Sequence, residues 1–142
     1  MAAACVFCSI VRGELPASFV LRADGIVAFL DQRPLFKGHV LVIPEAHVPT
    51  LHELPPALVQ PLFGAVQRLS AAVVRGLRAD GSFVASNNVI SQSVPHLHVH
   101  VVPRSRGDGL RGFFWPRVKY ADDAERADFA ARIAAALQPA AM

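Results

Sequence analysis

Three features of the sequence predict an α+β domain built on a five-stranded antiparallel sheet. Runs of strand length, rich in β-branched and aromatic residues, fall at 18–23, 26–30, 39–44, 82–86 and 94–102. A single long stretch, 55–78, carries apolar residues at helical spacing. Asp24-Gly25 joins the first two strands as a two-residue hairpin signal, so neighbouring strands run antiparallel. Strands grouped around one crossover helix, rather than alternating with many, give this class.

Residues 5–12 read as a short helix ended by Gly13, a residue suited to the left-handed position after a helix. The hairpin strands follow, and 39–44 alternates in and out of the core as a third strand. In the long helix Leu58, Leu62, Phe63, Val66, Leu69, Val73 and Leu77 mark the apolar face. Pro61 predicts a kink there or a later start. Ala79-Asp80-Gly81 closes that helix, 82–86 and 94–102 supply the last two strands, and 124–137, with Phe129, Ile133 and Leu137, forms a final helix. No repeat or linker divides the chain, so 1–142 reads as one domain with its core at about 5–104 and a divergent tail at 105–142.

The 142 residues are enough to bury a core, and 53% of them are hydrophobic. No window suggests a run of about 20 apolar residues spanning a bilayer. The start has no basic region and its apolar run stops at Arg12, so a secretory leader is not expected and a cytoplasmic protein is. The net charge is +3, with positive residues gathered in Arg104-Ser105-Arg106 and between Arg111 and Lys119. Without interleaved aromatic residues, that pattern suits a rim steering small polyanions better than a nucleic-acid surface. Neither nucleic acid nor membrane is an expected partner.

The chemistry lies in His96-Leu97-His98-Val99-His100, three of the six histidines spaced by two. On an extended chain the three imidazoles share one face, and Leu97, Val99 and Val101 share the other. A neutral imidazole is either a nucleophile or a metal ligand. With a rise of about 3.3 Å per residue, His96 and His100 lie about 13 Å apart, so one ion reaches two adjacent rings but not all three. The preceding stretch, Asn87-Asn88-Val89-Ile90-Ser91-Gln92-Ser93-Val94-Pro95, has no carboxylate and many donors, which suits phosphate oxygens better than a hard cation. Cys5 and Cys8 form a C-x-x-C pair open to three readings: a disulfide, a redox pair, or two thiolate ligands for zinc. Without a leader or a thioredoxin-like strand context, zinc is preferred.

The segment from Gln92 to Arg104 resembles the signature of the histidine triad (HIT) family of nucleotide hydrolases and transferases. Ala28-Phe29-Leu30-Asp31 followed by Lys37-Gly38-His39-Val40-Leu41-Val42-Ile43-Pro44 resembles that family's ribose-side strand and fourth histidine. Cys5-Val6-Phe7-Cys8 with Gly13-Glu14-Leu15-Pro16-Ala17 resembles the N-terminus of its bacterial Hint-like branch. Together these blocks span about residues 5–104; the tail matches only through Gly107-Asp108-Gly109 and Trp115.

The resemblance implies a HIT fold and hydrolysis or transfer at the α-phosphate of nucleoside phosphoramidates or related conjugates, releasing a nucleoside monophosphate. His98 is then the nucleophile, with its tautomer fixed by a backbone carbonyl near His96. His100, Ser93 and Gln92 act on the phosphate or leaving group. Asp31 takes the ribose hydroxyls; Phe7, Ile10 and Phe29 line a purine pocket; His39, Asn87, Asn88 and Trp115 complete the substrate contacts. His47 and His96 match the positions that join Cys5 and Cys8 as ligands of a structural zinc, while His52 has no role. A dinucleoside polyphosphate hydrolase or phosphorylase, and a nucleotide-binding regulatory protein, are the competing functions. The family also implies a homodimer placing Trp115 and the Arg111–Lys119 segment near the partner's nucleotide. Two departures stand out: Ser91 occupies a position where glycine is usual in a somewhat longer loop, and Gln32 one where an aliphatic residue is frequent.

Overall fold

The structure, a computed structural model, describes residues 4–111 and 117–137. The chain forms two compact units, Met1–Asp108 and Gly109–Met142. In the first, α1 (Val6–Val11) precedes the strands β1 (Phe19–Ala23), β2 (Ile26–Leu30) and β3 (Val40–Pro44). A 3-10 turn (Leu51–Glu53), which the sequence did not suggest, leads into α2 (Pro56–Leu77), followed by β4 (Gly81–Ala85) and β5 (Val99–Arg104). The sheet order is β1-β2-β3-β5-β4, and every pairing is antiparallel. In the second unit α3 (Asp123–Ala136) is capped by Asp122, whose side chain accepts the Glu125 N–H at 2.8 Å.

Local chemistry explains the turns. Asp24 and Gly25 both have positive φ, 56° and 77°, as a hairpin turn twisted to match its strands requires. Gly13, at φ 78°, ends α1 in the left-handed conformation. Arg78, not a glycine, takes that conformation after α2, and Gly81 belongs to β4.

Strand alternation divides the core into two layers. Ile26, Ala28, Val40, Val42, Leu97, Val99 and Val101 pack with Leu62, Ala65, Val66, Leu69 and Val73 of α2. On the opposite face Val27, Phe29, Leu41 and Ile43 pack with Phe7 and Ile10 of α1. α2 begins at Pro56 and runs through Pro61, so no late start occurs. Pro61 stands inside the helix, in its second turn, and gives up the N–H that would reach the Ala57 carbonyl. Phe63 and Leu77, expected on the core face, are 42% and 51% exposed; Ala65 takes the inner position. By length and composition alone α2 is also long and apolar enough to cross a membrane, a test that a helix covering a core passes as well. Here its inner stripe covers the sheet.

The last strand is the main correction. The expected strand 94–102 pairs only from Val99, and runs on to Arg104. Pro95 has no N–H to give a ladder, and the His96 N–H closes a tight turn onto the Val94 carbonyl at 2.8 Å. The Leu97 N–H goes to the Val48 carbonyl at 2.7 Å, while the His96 ring takes the Pro44 carbonyl at 2.8 Å. A side chain thus replaces the ladder where β3 ends. The alternation nevertheless persists: Leu97, Val99 and Val101 face α2, and the histidines face away.

Candidate active site and metal centre

Four histidine rings are oriented by groups whose hydrogen-bonding roles are fixed. A carbonyl only accepts, so a ring nitrogen facing one must carry the proton. His98 is 4% exposed, and its Nδ1–H donates to the His96 carbonyl at 2.7 Å, leaving the Nε2 lone pair free. Ser86 Oγ donates to the His98 carbonyl at 2.8 Å and holds the backbone at that point. His96 is fully buried, and its Nε2–H donates to Pro44, which turns the Nδ1 lone pair toward Cys5 and Cys8.

A second chain of bonds runs through His39. The Leu35 N–H donates to His39 Nδ1 at 3.1 Å. In a neutral ring the proton is then on Nε2, which donates to His100 Nδ1 at 2.9 Å. His100 in turn carries its proton on Nε2. Burial holds both rings neutral: it lowers the pKa of His39, against the attraction of Asp31, and takes His100 down to about 4, where two neighbouring imidazoles further disfavour a proton on that ring. The His98 and His100 ring centroids lie 5.0 Å apart. A lone pair on one ring and an N–H on the next therefore stand side by side.

Beside them opens a cavity of about 710 Å³. Its apolar wall includes Phe7, Ile10, Phe29, Leu41 and Val94, and Asp31 and Ser93 also line it. The Phe7 ring meets His98 edge-on, with centroids 5.1 Å apart. Asp31 accepts the Arg33 N–H at Oδ1, and its Oδ2 lies 3.8 Å from His39 Nε2, too far for a hydrogen bond. Gln32 and Arg33, which composition did not single out for the cavity, stand at this end.

The loop before the triad braces itself. Gln92 donates from Nε2 to the Pro49 carbonyl and accepts the Val89 N–H at Oε1. Asn88 accepts the Leu51 N–H, and Asn87 donates to the Ser91 carbonyl. These bonds hold Val89 and Ser91 at φ 70° and 59°, the region that costs a side-chain-bearing residue most. Gln92, Asn87 and Asn88 thus have structural partners in this loop and at Pro49 and Leu51, while Ser93 lines the cavity. Trp115 lies outside the described residues.

Cys5, Cys8, His47 and His96 bring one potential ligand atom each to within 4.8 Å of one another. Cys5 Sγ and Cys8 Sγ lie 3.4 and 3.6 Å from His96 Nδ1, and Cys8 Sγ lies 3.4 Å from His47 Nδ1. Two sulfurs and two imidazole nitrogens form a donor set for a tetrahedral ion. The Pro44 carbonyl also fixes the His96 tautomer that a metal needs, so these residues fit and could hold a metal ion. Asp31, His39 and His100 are similarly close together. Their chemistry does not fit: His39 Nδ1 is already an acceptor, so ligation at Nε2 would require stripping the ring of both protons. His52 is exposed and outside both clusters.

The His96 carbonyl at His98 matches the expectation from the resemblance, whereas the other backbone partners were not legible from the residue order. Leu35, Pro44 and Val48 act through main-chain groups that any residue offers, and only the folded chain brings them to the rings.

The chain matches the HIT domain over residues 12–107. It is 39% identical over 108 residues to the adenylylsulfatase HINT3 of Arabidopsis thaliana, covering 75% of this chain and 55% of that relative. It is 30% identical over 120 residues to the adenosine 5'-monophosphoramidase HNT1 of Candida albicans, covering 80% of this chain and 79% of the other. Among solved structures, a HIT family protein from Bacillus subtilis superposes with a TM-score of 0.87 at 30% identity, over 96% of this chain and 99% of that one. A Zn-bound histidine triad family protein from Mycobacterium smegmatis gives 0.71 at 37% identity, over 92% and 96%. The antiparallel sheet, the oriented histidine row and the sequence matches lead to one conclusion: the chain belongs to the HIT domain family.

Proposed function

We propose that the protein is a nucleotide hydrolase or transferase acting at the α-phosphate of nucleoside phosphoramidates or related nucleotide conjugates. The observation that carries this reading is the pairing of a His98 Nε2 lone pair with a neutral His100 Nε2–H on adjacent rings, with Phe7 of the apolar cavity wall edge-on to His98. His98 Nε2 attacks the α-phosphorus, forming an N–P bond as the bond to the leaving group breaks. His100 donates a hydrogen bond to the leaving atom, where negative charge develops. Water then cleaves the nucleotidyl-histidine. The two steps add one water across the original bond, with hydroxyl to phosphorus and hydrogen to the leaving group. Ser93 supports the phosphate, Asp31 Oδ2 takes the ribose hydroxyls, and Phe7, Ile10 and Phe29 enclose a purine.

The names of two relatives, an adenylylsulfatase and an adenosine 5'-monophosphoramidase, support an adenosine conjugate as the substrate class. Cys5, Cys8, His47 and His96 would hold zinc, which supplies structural ligation and leaves His98 and His100 to the reaction. A homodimer is supported by the apolar residues α2 turns outward, Val59, Phe63 and Leu77, and by the edge strand β4 with exposed Val84. Light scattering that finds only a 15 kDa species at micromolar concentration would refute the dimer.

The test is turnover of adenosine 5'-phosphoramidate by wild type and His98→Ala. The variant should lose turnover while holding AMP within about tenfold of wild type, because nucleophilic chemistry and not binding is removed. Mass spectrometry of quenched wild type should find a nucleotide on His98. Near-wild-type rates in the variant would overturn the mechanism.

A further inference from the structure

Phe7 belongs to both centres. It is buried, lies between the two cysteines in sequence, and lines the cavity. Its ring lies edge-on to His96, His98 and Phe29, with centroids 5.8, 5.1 and 5.5 Å away. Two of those neighbours face different chemistry: His96 directs Nδ1 to the cysteines, while His98 spends its Nδ1–H on the His96 carbonyl and keeps the Nε2 lone pair.

We propose that Phe7 makes metal binding at Cys5, Cys8, His47 and His96, and nucleotide binding in the adjoining cavity, one coupled event in which each ligand raises affinity for the other. This rests on the nucleotide reading of the cavity given above.

The physical reason lies in α1. Six residues are too few to stay helical unaided. The end of the helix is tied down by Arg22, which donates to the Val11 carbonyl at 2.9 Å and pairs with Glu45 at 2.8 Å. Among the described residues the start is held by bonds within the first turn, Cys8 N–H to Cys5 Sγ at 3.4 Å and Ser9 N–H to the Cys5 carbonyl at 3.0 Å, and by sulfur–imidazole contacts. A metal joining both sulfurs to His47 and His96 clamps the backbone on either side of Phe7. The ring is then fixed as a wall for the base and against the edge of His98. Without the metal, a bound nucleotide must itself order the first turn of α1, and part of its binding energy is spent there. Linkage is reciprocal: if metal tightens nucleotide binding by some factor, nucleotide tightens metal binding by the same factor.

The experiment uses the full chain, zinc and AMP. AMP affinity is measured by calorimetry on zinc-loaded, chelator-stripped and reloaded protein. Zinc affinity is measured by equilibrium competition with a chromophoric chelator, with and without saturating AMP. The second measurement starts from folded, loaded protein and so decides the matter even if stripped protein unfolds. Both ratios should agree and lie on the order of 5- to 150-fold. Phe7→Leu should keep one zinc per chain and bring the ratio toward one. Zinc-loaded protein that binds AMP with no change in zinc affinity would overturn the coupling and leave the nucleotide site standing. No AMP binding by loaded protein would overturn both. An undiminished ratio in Phe7→Leu would remove Phe7 as the link.

Discussion

His39→Ala tests the idea that the Leu35–His39–His100 chain sets which nitrogen of His100 carries a proton. His39 is 3% exposed, so removing its ring takes away a buried donor from His100 Nδ1. An acceptor left unpaired costs about 1–3 kcal/mol. The Leu35 N–H also loses its acceptor, but Leu35 is 54% exposed and water can replace the ring. Stability should therefore fall by about 2–3 kcal/mol, most of it from the His100 side. The catalytic effect has an upper bound, since deleting one preorganised donor at a developing charge costs about 10²–10³ in kcat. His100 itself remains, and part of the population still presents Nε2–H. A loss of about 10- to 100-fold follows, equal to about 1.4–2.7 kcal/mol of transition-state stabilisation. The assay is kcat/KM on two adenosine conjugates, one with a poor amine leaving group and one with a good aryloxide. The loss should be large for the amine and small for the aryloxide, which needs less help to depart. His39→Gln, with both an acceptor and a donor, should recover part of the rate. Equal losses on both substrates would refute the tautomer argument, as would wild-type rates in His39→Ala alongside a large loss in His100→Ala.

Two other outcomes follow from local chemistry. Ser91→Gly should raise stability by up to about 1 kcal/mol: relief of a left-handed residue is worth about 1–2 kcal/mol, against about 0.5–1 kcal/mol of extra chain entropy. Urea unfolding measures it, and a less stable variant would show that the loop is unstrained at Ser91. Stability should also decline as pH falls from the ordinary histidine value of 6.5 toward about 4, and be fully present above that window. Burial depresses the folded-state pKa of His39, His96 and His100, so the unfolded chain binds more protons there and acid favours unfolding. Melting temperatures between pH 7.5 and 4.5 should show the slope, and His100→Gln should make it shallower; a flat profile would exclude these rings as its source.

The order of residues determined a good deal of this protein. Asp24-Gly25 specified a hairpin by local sterics alone, and the 3.6-residue repeat from Leu58 to Val73 specified the helix covering the sheet. The alternation from His96 to Val101 divided histidines from aliphatic residues even where no strand ladder forms, because side-chain direction follows from the extended backbone itself. The cysteine pair and histidine row announced metal and phosphoryl chemistry through residue type. The tertiary structure decided what those groups do. Phe63 and Leu77 share the helical repeat but not the core, where Leu62, Ala65, Val66, Leu69 and Val73 take the inner positions. Two ring protons are set by groups distant in sequence: the Pro44 carbonyl is 52 residues from His96, and the His39 ring, whose own proton is placed by the Leu35 N–H, is 61 residues from His100. A backbone carbonyl or N–H has no identity in the sequence, because every residue but proline offers both. Its effect on a tautomer appears only when folding brings it within hydrogen-bonding distance.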